Sequence, residues 1–217
     1  MSNVISYQET AGAIEQALQV LERGGLVVFP TDTVYGVGAS VDRPDAVARL
    51  YVAKGRPLDR AIPVLVSSPE SAIRLASETS DVARQLMSQF WPGPLTIVLP
   101  AAEWLPEEIV RDTGGVGVRM PDHPIALELI ERSGGALATT SANRSGEGET
   151  RTGTAAAESI GDRVDLVLDG GVSPGGVPST VVKLIPQREE FEILREGAIT
   201  SDDIANALRI HPHERTE

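Results

Sequence analysis

The chain has no cysteine among its 217 residues, and it has only two lysines beside seventeen arginines. Without cysteine, disulfides and thiolate metal sites are excluded. Aromatic residues are scarce: two Trp, three Tyr and three Phe make up 4% of the chain. That leaves little material for a base-stacking surface. No apolar run approaches the roughly 20 residues that cross a bilayer. The opening "MSNVISYQET" lacks a basic segment followed by an apolar core and does not read as a signal peptide. Positive charge is also scarce, with a formal net charge of -12. A broad nucleic-acid surface requires the opposite balance. A small anion-binding cleft remains compatible, provided its few cations are concentrated. These absences predict a soluble cytoplasmic protein with no membrane partner. The length fits one domain, expected over 1–210, with the tail "HPHERTE" (211–217) disordered.

The standard catalytic motifs are missing too. There is no GxxxxGK[ST] phosphate loop, "GGVGVR" lacks the third glycine of a dinucleotide fingerprint, and there is no HExxH. His123, His211 and His213 lack ligand-like spacing, and no metal ligand is assigned. "SAN" at 141–143 fits the SxN pattern of serine β-lactamases, but neither SxxK nor KTG accompanies it. Catalysis would therefore come from positioning and electrostatics, as phosphoryl and nucleotidyl transfer allow.

What is present is an alternation of elements. Ala11, Ile14, Ala17, Leu18 and Leu21 recur at helical spacing over 8–22, with "SYQE" before them as a capping box and Gly24-Gly25 after. "LVVFP" (26–30) reads as a buried strand. The segment 42–54 reads as a helix, with Asp42 as N-cap and Pro44 in the first turn. Further strands are expected at 62–66, 95–100, 116–121, 135–142, 165–171, 179–185 and 191–197. Helices are expected at 69–77, 81–90, 124–132, 153–160 and 200–209. This pattern predicts an α/β fold, a twisted mixed sheet with helices packed on it. The stretches 143–153 and 170–179 read as loops, and the first is expected to be mobile and to close over bound ligands.

Against so acidic a background, "YVAKGRPLDRAIP" (51–63) gathers Lys54, Arg56 and Arg60. Taken alone, "KGRP" is a helix end: a cation in the last turn, a glycine cap, a proline just beyond. Pro57 biases Arg56 toward extended backbone, which would set Lys54 and Arg56 on one side. The same alternation places Ser141 and Asn143 on one face. "PTDTVYGVGA" (30–39), "VRMP" (118–121), "TTSAN" (139–143), "PGPLT" (92–96) and "PSTVV" (178–182) add polar groups at the edges of apolar runs.

Taken in order, these six motifs resemble the YrdC-like threonylcarbamoyl-AMP synthase family over about residues 10–200. The resemblance implies an α/β fold with a deep concave groove. It also implies a nucleotidyltransferase that joins L-threonine, bicarbonate and ATP into threonylcarbamoyl-AMP and pyrophosphate, with Mg²⁺ held mainly through the phosphates. A downstream enzyme would move the threonylcarbamoyl group to tRNA, and direct RNA binding by this chain would be weak or absent. The implied catalytic tetrad is Lys54, Arg56, Ser141 and Asn143. ATP would also meet Arg60 and Arg195, and threonine would meet Thr33, Arg119 and Ser179. Where family members often place an Asn and a His, this chain has Arg60 and Leu65. The loop after Asn143 leaves open which of Thr150, Arg151 and Thr152 faces the nucleotide. Asp32 and Asp59 are the carboxylates nearest the motifs. Two other readings compete: an RNA-binding module of the same fold, and a related subfamily with a different nucleotide-dependent reaction.

Overall fold

Residues 3–185 and 190–208 are described by a computed structural model. The expected tail, 211–217, lies outside them. The first helix shows how sequence becomes structure here. Ile14, Ala17 and Leu21 form the buried stripe of α1 (Ala13–Glu22), but the helix starts five residues later than its pattern. The "SYQE" capping box is not used: Ser6 ends strand β1 (Val4–Ser6) and its Oγ accepts from the Glu9 amide at 3.3 Å, closing a turn instead. Gly12, at φ 71°, then caps α1, a backbone state that favours glycine. Asp42 is not an N-cap either. Arg43 holds that place before α2 (Pro44–Lys54), and its guanidinium reaches back to the Glu22 carbonyl at 3.1 Å.

The remaining strands are β2 (Val27–Phe29), β3 (Gly36–Ser40), β4 (Val64–Val66), β5 (Leu95–Pro100), β6 (Gly115–Arg119), β7 (Ala136–Ser141), β8 (Leu166–Asp169), β9 (Thr180–Ile185) and β10 (Glu190–Arg195). The helices are α3 (Pro69–Arg74), α4 (Asp81–Phe90), α5 (Glu107–Val110), α6 (Pro124–Arg132), α7 (Gly153–Ile160) and α8 (Ser201–Leu208). Together the strands make one mixed sheet in the order β1-β8-β2-β3-β7-β4-β6-β5-β9-β10. Residue 209, the expected end of the last helix, lies outside the described residues. No described helix is long and apolar enough to cross a membrane.

The sheet's two faces are covered unequally, and that inequality creates the groove. One face, with Val64, Ile97 and Val118, packs under α2, α4, α7 and α8 through Leu50, Leu86, Ile160 and Ile204 as one core. On the other face a smaller core joins Phe29, Leu65, Leu137 and Leu168 to α1 and α6 through Leu21 and Leu129. That second core includes no residue of β5, β6, β9 or β10. Thr96, Val98, Gly117, Arg119 and Val181 therefore face two adjoining cavities rather than a helix.

Candidate active site

Lys54 is the last residue of α2, and Gly55 after it adopts φ 63° as the helix cap. The two readings of "KGRP" are therefore both realised: the helix stop is what presents the cation. Lys54 and Arg56 do not share an extended strand, because the left-handed glycine between them turns the chain. Lys54 is 6% exposed. It donates to Ser141 O at 2.8 Å, Ser141 Oγ at 2.7 Å and Asn143 Oδ1 at 2.9 Å. An ammonium has three N–H donors, so all are occupied. Burial, with the Arg56 charge nearby, pulls its pKa down to about 8.

Asn143 is equally committed. Its Nδ2 donates to Arg144 O at 3.1 Å and Glu147 O at 2.7 Å, and its side chain lines neither cavity. Ser141 is the tetrad member that links this cluster to the cavity. Its Oγ accepts from Lys54, which leaves its own O–H to donate outward.

Arg56 donates through Nε to Arg60 O at 3.2 Å and through Nη2 to Ala61 O at 2.8 Å. Burial and the charges of Arg60 and Arg195 lower its pKa. The Arg60 side chain is exposed and lines neither cavity; its carbonyl is what serves the site.

Arg119, at the end of β6, is 6% exposed. Its Nε donates to Gly93 O at 2.9 Å, Nη1 to Thr33 Oγ1 at 3.1 Å, and Nη2 pairs with the Asp32 carboxylate. Five N–H groups minus these three leave one on each terminal nitrogen. "PGPLT" thus supplies an anchoring carbonyl, and Asp32 is an ion-pair partner. Ser179 is 5% exposed; its Oγ lies 2.8 Å from Thr96 Oγ1, and it accepts from Arg195 Nη2 at 3.0 Å.

Thr33, Arg56, Arg119, Ser141, Ser179 and Arg195 line one cavity of about 140 Å³. Arg56 and Arg195 also border a second, more apolar cavity of about 480 Å³. Of the predicted tetrad, ATP-binding and threonine-binding residues, Lys54, Arg60 and Asn143 are the three that line neither cavity.

The 143–153 loop is tied down rather than free. Arg144 Nε donates to Ser159 O at 2.8 Å, and Thr150 Oγ1 to Ala142 O at 3.1 Å. Arg151 grips Ser173 O at 3.0 Å, and Thr152 caps α7. None of Thr150, Arg151 and Thr152 lines the cavity. Glu149 does, and it interacts electrostatically with Lys54 and Arg195. Sequence reasoning missed Glu149, since one acidic residue among many carries no signal. It also missed Thr96, although its parity with Val98 on a strand opposite Arg119 would have placed it on the groove face. Among the described residues no three metal-ligating side chains cluster. Asp59 is exposed and lines neither cavity.

The family model Sua5/YciO/YrdC, described as telomere recombination, matches residues 19–197. The chain belongs to the Sua5/YciO/YrdC family. A relative from Pyrococcus abyssi named threonylcarbamoyl-AMP synthase is 40% identical over 202 residues, 92% of this chain and 59% of its own length. One from Bacillus subtilis with the same name is 38% identical, over 88% of this chain and 55% of its own. The chain thus spans somewhat over half the length of these curated relatives. Among solved structures, P. abyssi Sua5 complexed with L-threonine superposes with a TM-score of 0.88 at 37% identity, over 98% of this chain and 62% of that one. Escherichia coli YciO gives 0.79 at 26%, over 91% of this chain and 96% of its own. The fold is therefore that of the family.

Proposed function

We propose that this chain is an L-threonylcarbamoyladenylate synthase, a nucleotidyltransferase acting on L-threonine, bicarbonate and ATP. The observation that carries the reading is one shared cavity. A carboxylate-binding cluster, Arg119 with Thr33 and Ser179, opens into the same space as the cations Arg56 and Arg195, with Lys54 beneath. The two remaining Arg119 N–H groups form a fork suited to an amino-acid carboxylate. Arg56 and Arg195 stand where the two cavities meet and would hold phosphate oxygens.

The amine of threonine would attack the bicarbonate carbon and give a carbamate, with a C–O bond broken and water released. Its oxygen attacks the α-phosphorus, the bond to the β-phosphate oxygen breaks, and pyrophosphate leaves. Negative charge spreads over several oxygens, so preorganised donors are what the reaction needs. The Ser141 hydroxyl, polarised by Lys54, is one such donor. Asn143 holds the loop that carries Glu149 and is a positioning residue.

Mg²⁺ would enter with the phosphates and neutralise part of their charge. The residues fit that mode: among the described residues Glu149 is the one carboxylate lining the small cavity, while Asp32 is engaged by Arg119. The product is a fragile mixed anhydride, and the reading includes a tRNA-modifying enzyme that consumes it. The test is pyrophosphate release with each substrate omitted in turn. The reading predicts release only when threonine and bicarbonate are both present. ATP hydrolysis indifferent to either would sink it.

A further inference from the structure

Leu65 stands at a position that its neighbours make decisive. The parallel β4/β6 ladder sets Leu65 opposite Arg119. Paired residues of adjacent strands carry their side chains on the same face, and strands lie about 4.7–4.9 Å apart, so the two are immediate neighbours. On the other side of Arg119, the β5/β6 register pairs Ile97 with Val118, and the next step sets Thr96 beside Arg119. Thr96 Oγ1 is 2.8 Å from Ser179 Oγ. Arg119 is therefore flanked by a hydroxyl pair on one side and an isobutyl group on the other. Leu65 is 6% exposed and lines the same small cavity, with Val34 as a second apolar wall.

In the proposed synthase, an amino acid whose carboxylate sits on Arg119 would turn its β-carbon toward these two flanks. The hydroxyl pair can satisfy one β-substituent by hydrogen bonding, and Leu65 can satisfy the other only with an apolar group. L-Threonine carries one of each on a single chiral centre. We propose that Leu65 is the residue that recognises the threonine methyl group and sets the preference for threonine over serine. The inference rests on the proposed synthase reading, and it concerns a place where this chain departs from the histidine common in the family. A methyl lost from an apolar pocket is worth roughly 10–200-fold in discrimination.

The test is calorimetric titration with L-threonine, L-serine and L-allo-threonine, each in the presence of ATP and Mg²⁺. The unaltered protein should bind threonine at least about 10-fold more tightly than serine. It should also bind threonine more tightly than allo-threonine, in which the β-substituents are exchanged. Leu65→Asn, with the same branching and number of side-chain heavy atoms but polar, should bring the threonine-to-serine ratio near unity by weakening threonine alone. Leu65→Met keeps the apolar wall and should keep the ratio. Because each ratio is measured on one variant, a loss of stability does not mimic the effect, and Leu65→Met covers the case in which Leu65→Asn fails to fold: a ratio that collapses there too counts against the proposal. An unchanged ratio in Leu65→Asn overturns the role of Leu65 and leaves the synthase reading intact. A protein that binds none of the three amino acids overturns both.

Discussion

A lysine whose three donors are already engaged cannot serve as a free phosphate ligand, and this changes what its replacement should do. Arginine at position 54 would keep the charge but present a planar fork where Ser141 and Asn143 offer three converging acceptors at 2.7–2.9 Å. Lys54→Arg should therefore lose at least about 100-fold in threonine-dependent pyrophosphate release, an effect typical of removing one oriented donor. Lys183→Arg should change it little, since Lys183 is exposed on β9. Retained activity in Lys54→Arg would remove Lys54 from the catalytic machinery. The pH dependence has a definite sign. The folded pKa, about 8, lies below the unfolded value, so burying the charged form costs stability at every pH below about 8. That cost is relieved as pH rises from there toward the ordinary lysine range of about 10.4. The stability of the parent relative to Lys54→Met should rise through this window while kcat falls. Urea midpoints and initial rates read the two separately. Arg119 makes the complementary case. Its removal leaves a largely buried Asp32 carboxylate and the Gly93 carbonyl without this partner. Breaking a buried pair costs about 3–5 kcal/mol, so Arg119→Ala should shift the urea midpoint as well as weaken threonine binding. A normal midpoint would show that the Asp32 pair contributes nothing to the fold.

At the scale of elements, most of the sheet was legible because its strands are short apolar runs bounded by Gly and Pro. The runs 95–100, 81–90, 124–132 and 153–160 are realised with their expected limits. Three elements were not. β3, "GVGAS", reads as turn because two of its five residues are glycine. Those glycines exist for packing: a Cβ at Gly36 would come within 2.9 Å of Thr139 Cγ2, and one at Gly38 within 2.9 Å of a Phe29 ring carbon. Central placement between β2 and β7 overrides propensity there. β1 and α5, at three and four residues, are too short to show a period. The tetrad was legible as residue types, while the division of labour within it was not, because saturation of Lys54 and Asn143 depends on where carbonyls fall. The loop carrying Arg56 illustrates the same point. Tyr51 OH lies 2.9 Å from Arg60 O, Arg111 Nε donates to that hydroxyl at 3.2 Å, and Arg56 donates to the same Arg60 carbonyl. Tyr51→Phe should thus loosen Arg56 without touching ligand. We expect a higher KM for ATP with little change in threonine affinity, and a stability loss of about 1–3 kcal/mol for the unpaired groups. Equal weakening of both ligands would mean that the helix, not the loop, was disturbed.

For the whole molecule, the decisive feature is how charge is distributed over an unequally covered sheet. A chain of net charge -12 repels polyanions at long range. Its groove nevertheless sets Arg56, Arg195 and the underlying Lys54 against the single lining carboxylate Glu149. A compact triphosphate can enter such a site and meet Arg56 and Arg195 directly, with the Lys54 charge acting from beneath Ser141. A nucleic-acid duplex should fare worse, because it would press the acidic surroundings against its remaining phosphates. Each phosphate neutralised on duplex nucleic acid contributes about 0.9 to the slope of log affinity against log salt. With about three cations in reach, that slope should stay near 3 or below, and little affinity should survive at physiological salt. Fluorescence anisotropy with a labelled RNA duplex, titrated across salt concentrations, measures both quantities. ATP should compete with whatever RNA binding remains, since both need the same cations. Submicromolar binding at physiological salt that ATP does not displace would place an RNA surface outside the groove. It would also mean that the acidic exterior does not govern which polyanions this fold accepts.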